Sequence, residues 1–199
     1  MNTTREPIQK RSIEKKRKIL DAGFELFCEN GYYKTSTTEI AKRANVSTGA
    51  LYSYFEDKRQ IYIETFEQYL NSISTSLFEK LDGIQQPFCL KSFIEKWVSF
   101  YVDCYAQAGR PLAQLRMTLL DDEKINQHFS CLESEFFTRI VNILRGNGVT
   151  HDDLFERVYI SCILIDSLRQ ENSVFIHKAL NFDALRKQIE RAILNSLSE

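Results

Sequence analysis

The chain is all-α by its sequence, and three observations say so. Apolar residues recur at helical spacing through long windows, while strand-like alternation and internal repeats are missing. The 199 residues hold only 7 Gly and 3 Pro, which favours long helices joined by short loops. No proline lies between Pro7 and Pro87, so an unbroken helical array fits in the first third. With 43% hydrophobic and 27% charged residues the chain can bury a core.

Residues 1–11 are polar, contain Pro7 and lack periodicity, so they are expected to form a flexible N-terminal arm. Ser12 can cap a first helix running to about Asn30, with Ile19, Leu20, Phe24, Leu26 and Phe27 inward and Gly31 as the stop. Thr37 is the expected cap of the second helix, which buries Ile40, Ala41 and Ala44 and ends in a turn at Asn45, with Val46 filling the gap. Ser47 caps a short third helix ending near Phe55, where Leu51 and Phe55 share the inner face. Asp57 caps a longer helix through Ile61, Phe66, Ile73 and Leu77 to about Gly83. Five more are expected: about 87–108, 111–120, 122–145, 151–171 and 183–197, with Thr150 and Asp153 as a variant capping box for 151–171. Together they make about nine helices.

Charge is unevenly spread. Residues 1–60 carry 12 Lys+Arg against 8 Asp+Glu, and residues 61–199 carry 14 against 19, although the whole chain sums to -1. A basic head on an acidic body is the footprint of a protein whose first third meets nucleic acid. The expected organisation is the arm, a helix-turn-helix domain over 12–56 and a helical domain over 57–199.

Residues 36–58 give that head its chemistry. Two short helices meet at a tight turn, wedged by Ile40, Ala41, Val46 and Leu51. The second begins with the small polar run Ser47, Thr48, Gly49 and Ala50, and its end carries Tyr52, Ser53 and Tyr54, with Lys58 just beyond. Such a surface suits a sugar-phosphate backbone, though the pattern alone also describes an ordinary helical hairpin.

The residues narrow that choice. Across residues 18–66, Ile19-Leu20-Asp21-Ala22, Glu25-Leu26-Phe27, Asn30-Gly31-Tyr32, Thr37-Thr38-Glu39-Ile40-Ala41, Ala44-Asn45-Val46-Ser47-Thr48-Gly49-Ala50-Leu51-Tyr52 and Tyr54-Phe55-Glu56-Asp57-Lys58 stand in order. This run strongly resembles the TetR family of transcriptional repressors. The resemblance implies an N-terminal three-helix domain with a helix-turn-helix, plus a C-terminal helical ligand-binding and dimerisation domain. It also implies contact roles. Thr37 would give its hydroxyl or N–H to a phosphate at a helix N-terminus, and Thr38 would face a base. Ser47, Thr48 and Gly49 would open the recognition helix, Gly49 allowing close backbone approach. Ala50 would touch a thymine methyl. Tyr52, Tyr54 and Lys58 would hold phosphates, with a core role for Tyr52 as the alternative. Thr48 and Ser53 are smaller than the residues common at those positions, which favours backbone positioning over base readout. Lys15, Lys16, Arg17 and Lys18, with Lys10 and Arg11, are expected to touch flanking phosphates.

In the body, the run Val158 to Ile165 is apolar all round, so its helix should be buried on more than one side. With the last helix it is expected to make a homodimer interface through Tyr159, Cys162, Ile163, Ile189 and Ile193. The middle helices are aromatic-rich, and a small-molecule effector site is expected among Trp97, Phe100, Tyr101, Cys104, Tyr105, Arg116, Phe129, Phe136, Cys162 and Asp166. Core packing accounts for many of the same residues. Asp166, if buried, needs a protein donor or a cationic ligand group.

No catalytic or nucleotide-binding motif appears, and His128, His151 and His177 stand far apart, so neither an enzyme nor a cofactor or metal is expected. Cys28, Cys89, Cys104, Cys131 and Cys162 form no C-x-x-C pair and are expected to be buried free thiols. No apolar stretch of about 18 residues appears, so a cytoplasmic protein without membrane contact is expected. The reading is a homodimeric repressor released from a pseudo-palindromic double-stranded DNA operator by a small-molecule inducer. The alternative is a helical ligand-binding or scaffold protein whose DNA-binding head is not used.

Overall fold

A computed structural model describes residues 5–82, 87–171 and 177–198, with side chains from Lys10 onward except Gln107. Among the described residues every regular element is helical: α1 (Arg5–Asn30), α2 (Thr37–Arg43), α3 (Thr48–Tyr52), α4 (Lys58–Asp82), α5 (Leu90–Tyr105), a 3-10 turn (Ala106–Ala108), α6 (Gly109–Asp121), α7 (Glu123–Gly146), α8 (Leu154–Gln170) and α9 (Phe182–Ser198). The all-α expectation therefore holds.

Several boundaries differ for physical reasons. α1 starts at Arg5 rather than Ser12. Pro7 does not prevent this, because the N–H it lacks belongs to a first turn that has no intrahelical acceptor. The part of the expected arm over 1–4 lies outside the described residues. The cap of α2 is Ser36, not Thr37. The Thr150–Asp153 capping box does not form: Asp153 is the N-cap of α8 but makes no side-chain cap bond, its Oδ1 accepting instead from Arg157 Nε at 2.7 Å. Of the five cysteines only Cys162 is buried; Cys28 and Cys104 are half-buried, and Cys89 and Cys131 are exposed. Burial pushes the Cys28 thiol up to about 11.

The chain forms two compact units: residues up to Leu70 with Arg110–His128, and Asn71–Gly109 with Phe129–Glu199. The first buries Ile19, Leu20 and Phe27 of α1, Ile40 and Ala41 of α2, Leu51 of α3, Phe55, and Ile61, Tyr62 and Phe66 of α4. Gly23 lets α1 approach α4 closely, since a Cβ there would lie 3.1 Å from Ile61 Cγ2. Tyr62 donates to Thr118 Oγ1 at 3.0 Å, and Arg59 Nε donates to Asp122 Oδ2 at 2.9 Å. Asp122 also caps α7 by accepting from the N–H groups of Lys124 and Ile125, both at 3.1 Å.

In the second unit α8 packs against α5 and α9. Its core joins Trp97 and Val98 of α5, Ile140 and Leu144 of α7, Val158 and Ile165 of α8, and Ile193 of α9, all essentially inaccessible to solvent. No helix of the described residues is long and apolar enough to cross a membrane.

Candidate nucleic-acid interface

The interface is assembled from the ends of α2 and α3. At the start of α2, Ser36 is extended (φ -108°, ψ 154°) and its Oγ accepts from the Glu39 N–H at 3.2 Å. Glu39 reaches back, its Oε2 accepting from Ser36 N–H at 2.8 Å and from Ser36 Oγ at 2.7 Å. This capping box fixes the first turn and points its remaining N–H groups outward. Those bonds hold the exposed Glu39 carboxyl below the usual carboxylate range, the Ser36 hydroxyl contributing most.

The turn follows from Asn45, the one non-glycine with positive φ (54°) among the described residues. Val46 N–H donates to Ala41 O at 3.0 Å and Asn45 N–H to Lys42 O at 3.2 Å, closing α2 in a Schellman arrangement. Ser47 then caps α3, its Oγ accepting from Ala50 N–H at 3.1 Å. Ser53 closes the other end by donating to Ala50 O at 2.6 Å. Buried Leu51 clamps the short helix to the head while Gly49 and Tyr52 stay outside. A Cβ built on Gly49 would meet no atom within 4 Å, so its outer side is open.

Thr37 Oγ1 and Tyr52 OH lie 3.0 Å apart, joining the N-terminus of α2 to the end of α3. Tyr52 is 50% exposed and is not a core tyrosine. Thr38, Ser47 and Ser53 are exposed, and Thr48 and Ala50 half-exposed, on the same head. Tyr54 differs from Tyr52: it is half-buried, and its hydroxyl accepts from Ser12 Oγ at 3.2 Å, pinning the recognition segment to α1. Lys58 is held within the chain. Its Nζ donates to Tyr32 O at 2.8 Å and Thr35 O at 3.0 Å and sits 4.3 Å from the Tyr32 ring centre. Burial lowers its pKa. In the basic run, Lys16 turns inward, paired with Glu64 at 2.7 Å and lying over the Phe55 ring, while Lys15, Arg17 and Lys18 are exposed.

The residues expected to bind an effector are placed unevenly. Arg116 is exposed on α6, in the first unit; the others belong to the second. Trp97, Tyr105, Phe129 and Cys162 are buried, whereas Phe100, Tyr101, Cys104, Phe136 and Asp166 are half-buried. Asp166 has protein donors: Arg169 Nε at 2.6 Å, Gln170 Nε2 at 2.8 Å and Tyr101 OH at 3.5 Å. Arg169, only 2% exposed, was not anticipated from the sequence, although its i,i+3 spacing from Asp166 is a usable signal. Burial, and then neighbouring Tyr105 and Asp166, raises the Tyr101 hydroxyl well above its ordinary range. Burial of the Trp97 indole leaves Nε1 without an acceptor among the described residues. No group of acidic, His or Cys side chains able to hold a metal occurs among the described residues.

Of the residues expected at a dimer interface, Cys162, Ile189 and Ile193 face the chain's own core, because α8 and α9 pack on those faces. Tyr159 and Ile163 are exposed at 44% and 48%, and Phe155 and Ile160 join them on the outer side of α8.

Known proteins bear on this arrangement. Residues 19–65 match the family model described as bacterial regulatory proteins, tetR family. The Transposon Tn10 TetC protein of Escherichia coli is 32% identical over 166 residues, covering 83% of this chain and 79% of that protein. The fatty acid metabolism regulator protein of Bacillus subtilis (strain 168) is 33% identical over 123 residues, 59% of this chain and 62% of that one. The chain spans from about a third to under two thirds of the length of several curated relatives it matches. Among solved structures, the transcriptional regulator FadR from Bacillus subtilis in complex with stearoyl-CoA shares the fold, with a TM-score of 0.68 at 18% identity over 90% of this chain and 98% of that one.

Proposed function

The chain belongs to the tetR family of bacterial regulatory proteins, and on that premise we propose that it is a homodimeric transcriptional repressor that binds a pseudo-palindromic DNA operator through residues 12–56 and is released by a small molecule bound in the helical domain over 57–199. The observation that carries the DNA reading is the open face around Gly49, flanked by the capped start of α2 and the Thr37–Tyr52 hydroxyl pair. The N–H groups that the caps leave free in two N-terminal turns, and the Thr37–Tyr52 hydroxyl pair, are donors of the kind a phosphate accepts. Thr37 and Tyr52 hold the backbone. Thr38, Ser47, Thr48, Gly49, Ala50 and Ser53 form the surface nearest the bases, and Tyr54 supports it.

The outer side of α8 supports the dimer. Phe155, Tyr159, Ile160 and Ile163 form an exposed apolar stripe, rows that soluble proteins cover. In the proposed dimer two recognition helices enter successive major grooves about 34–36 Å apart. The effector is proposed to be an amphipathic molecule with a long apolar part, and stearoyl-CoA is the first to try, given the relative crystallised with it. Asp166 already has its donors within the protein, which disfavours a cationic ligand at that carboxylate; the buried Trp97 indole N–H, without an acceptor among the described residues, is one donor for a ligand oxygen. The effector works only by binding two head spacings unequally.

The test is a gel shift with genomic fragments across a salt series. A sequence-selective complex that weakens steeply with salt is expected. Its absence for every fragment would favour a ligand-binding protein that does not use its head.

A further inference from the structure

Lys58 is where the geometry parts from the role its position suggests. It is the first residue of α4, at the positive end of a helix, where an ammonium is electrostatically disfavoured. Acceptors in the segment before α2 hold it there. Its Nζ donates to two carbonyls of the segment joining α1 to α2, Tyr32 O and Thr35 O, and the Tyr32 ring face supplies further negative potential. An ammonium has three donors, and two are spent inside the protein.

The segment it grips leads directly into the DNA-facing elements. Thr35 is 2% exposed and its hydroxyl donates to Gly31 O at 2.9 Å and Leu26 O at 3.2 Å. The next residue is Ser36, the cap of α2, and the one after is Thr37, paired with Tyr52. Gly31 itself has φ 83°, which opens the segment, and Tyr32 stacks edge-on against Tyr62 of α4 at 4.9 Å. Lys58 thus closes a path from α4 through residues 32–35 to the first turn of α2.

We propose that Lys58 serves DNA binding as a positioning residue, fixing the N-terminus of α2 through the carbonyls of Tyr32 and Thr35, and not as a cation that neutralises a phosphate. The inference rests on the DNA-binding reading above. It makes a separable claim, because a phosphate cation and a positioning residue leave different marks on salt dependence. Losing one phosphate contact in each of two heads lowers the slope of log K against log salt by about 1.8, whereas a misplaced but uncharged donor set lowers affinity at constant slope.

The experiment measures binding by fluorescence anisotropy on a labelled duplex recovered from genomic fragments by the wild-type protein. Variants are Lys58→Met, Lys58→Arg, Thr35→Val and, as a cationic control, Arg17→Gln. The inference expects Lys58→Met and Thr35→Val each to lose affinity by about tenfold or more at every salt concentration with the wild-type slope. Lys58→Arg, whose planar fork does not reproduce two converging ammonium bonds, is expected to lose affinity as well. Hydrogen exchange at residues 37–40 should speed up in Lys58→Met. A slope reduced by about 1.8, one contact in each of two heads, in Lys58→Met, or full affinity in Lys58→Arg, would overturn it. If Lys58→Met does not fold, Lys58→Arg and Thr35→Val decide the matter alone. Failure of the wild-type protein to select any duplex would instead sink the DNA-binding reading, and this inference with it.

Discussion

Replacing Gly49 by alanine separates folding from DNA binding at one atom. The added Cβ would meet nothing within 4 Å, and Gly49 is not among the glycines with positive φ, so the substitution strains neither packing nor backbone. Within a helix, alanine is favoured over glycine by roughly 0.5–1 kcal/mol, which corresponds to a rise in Tm of about 1–4 °C for a chain of this size. At the proposed interface the same methyl occupies the space of the closest backbone approach. Overpacking by one methyl costs about 1–3 kcal/mol. Two heads on one operator double that to about 2–6 kcal/mol, a loss of roughly 30- to 20,000-fold in affinity. Thermal unfolding by circular dichroism and anisotropy titration give the two numbers. Gly31→Ala is the contrast, since φ 83° and Gln114 Oε1 at 3.1 Å from its Cβ predict a lowered Tm. Unchanged DNA affinity in Gly49→Ala would refute the placement of α3 against DNA, and a lowered Tm would refute the open face.

Other consequences follow from the same contacts. Thr37→Val and Tyr52→Phe each remove one hydroxyl of an exposed pair, so stability should change by less than about 0.5 kcal/mol while DNA affinity falls; the double variant should lose less than the sum of the two, as a double-mutant cycle would show. Asp122 keeps a lowered pKa: burial opposes its ionisation, but the N–H groups of Ile125 and Lys124 and the Arg59 guanidinium outweigh it. A lowered folded-state pKa means stability that is present above the ordinary Asp value and lost as pH falls through the lowered one. Asp122→Asn should therefore cost about 1.5 kcal/mol or more at pH 7, and the gap should close below about pH 4 in urea titrations. Ile163→Asp, on the exposed side of α8, should yield a folded monomer by sedimentation, with wild-type helicity.

What could be read in the sequence is what is written locally. The helices of the body and the Ser47 cap announce themselves through apolar spacing and a single capping side chain. The start of α2 is ambiguous by one residue because Ser36 and Thr37 are both good caps; the deciding signal is Glu39, three residues after Ser36, which completes a capping box only from that position. The start of α1 is hidden because Pro7 reads as a breaker, although it is harmless in a first turn. Tyr52 and Tyr54 look equivalent as letters, yet Ser12, far away in sequence, takes one hydroxyl and Thr37 the other. Lys58 is the extreme case. Its acceptors are backbone carbonyls, and no sequence records where a carbonyl points. Arg59–Asp122 is hidden for a related reason, since its partners are 63 residues apart. The exposed or buried side of α8 was equally illegible, because an all-round apolar helix gives periodicity nothing to choose between.

The central claim is that residues 12–56 read an operator as one half of a symmetric pair, and footprinting on a selected duplex tests it most directly. The account predicts two protected half-sites about one helical turn apart, about 34–36 Å centre to centre, both lost together in Gly49→Ala. A single protected patch, or protection unchanged by Gly49→Ala, would contradict it.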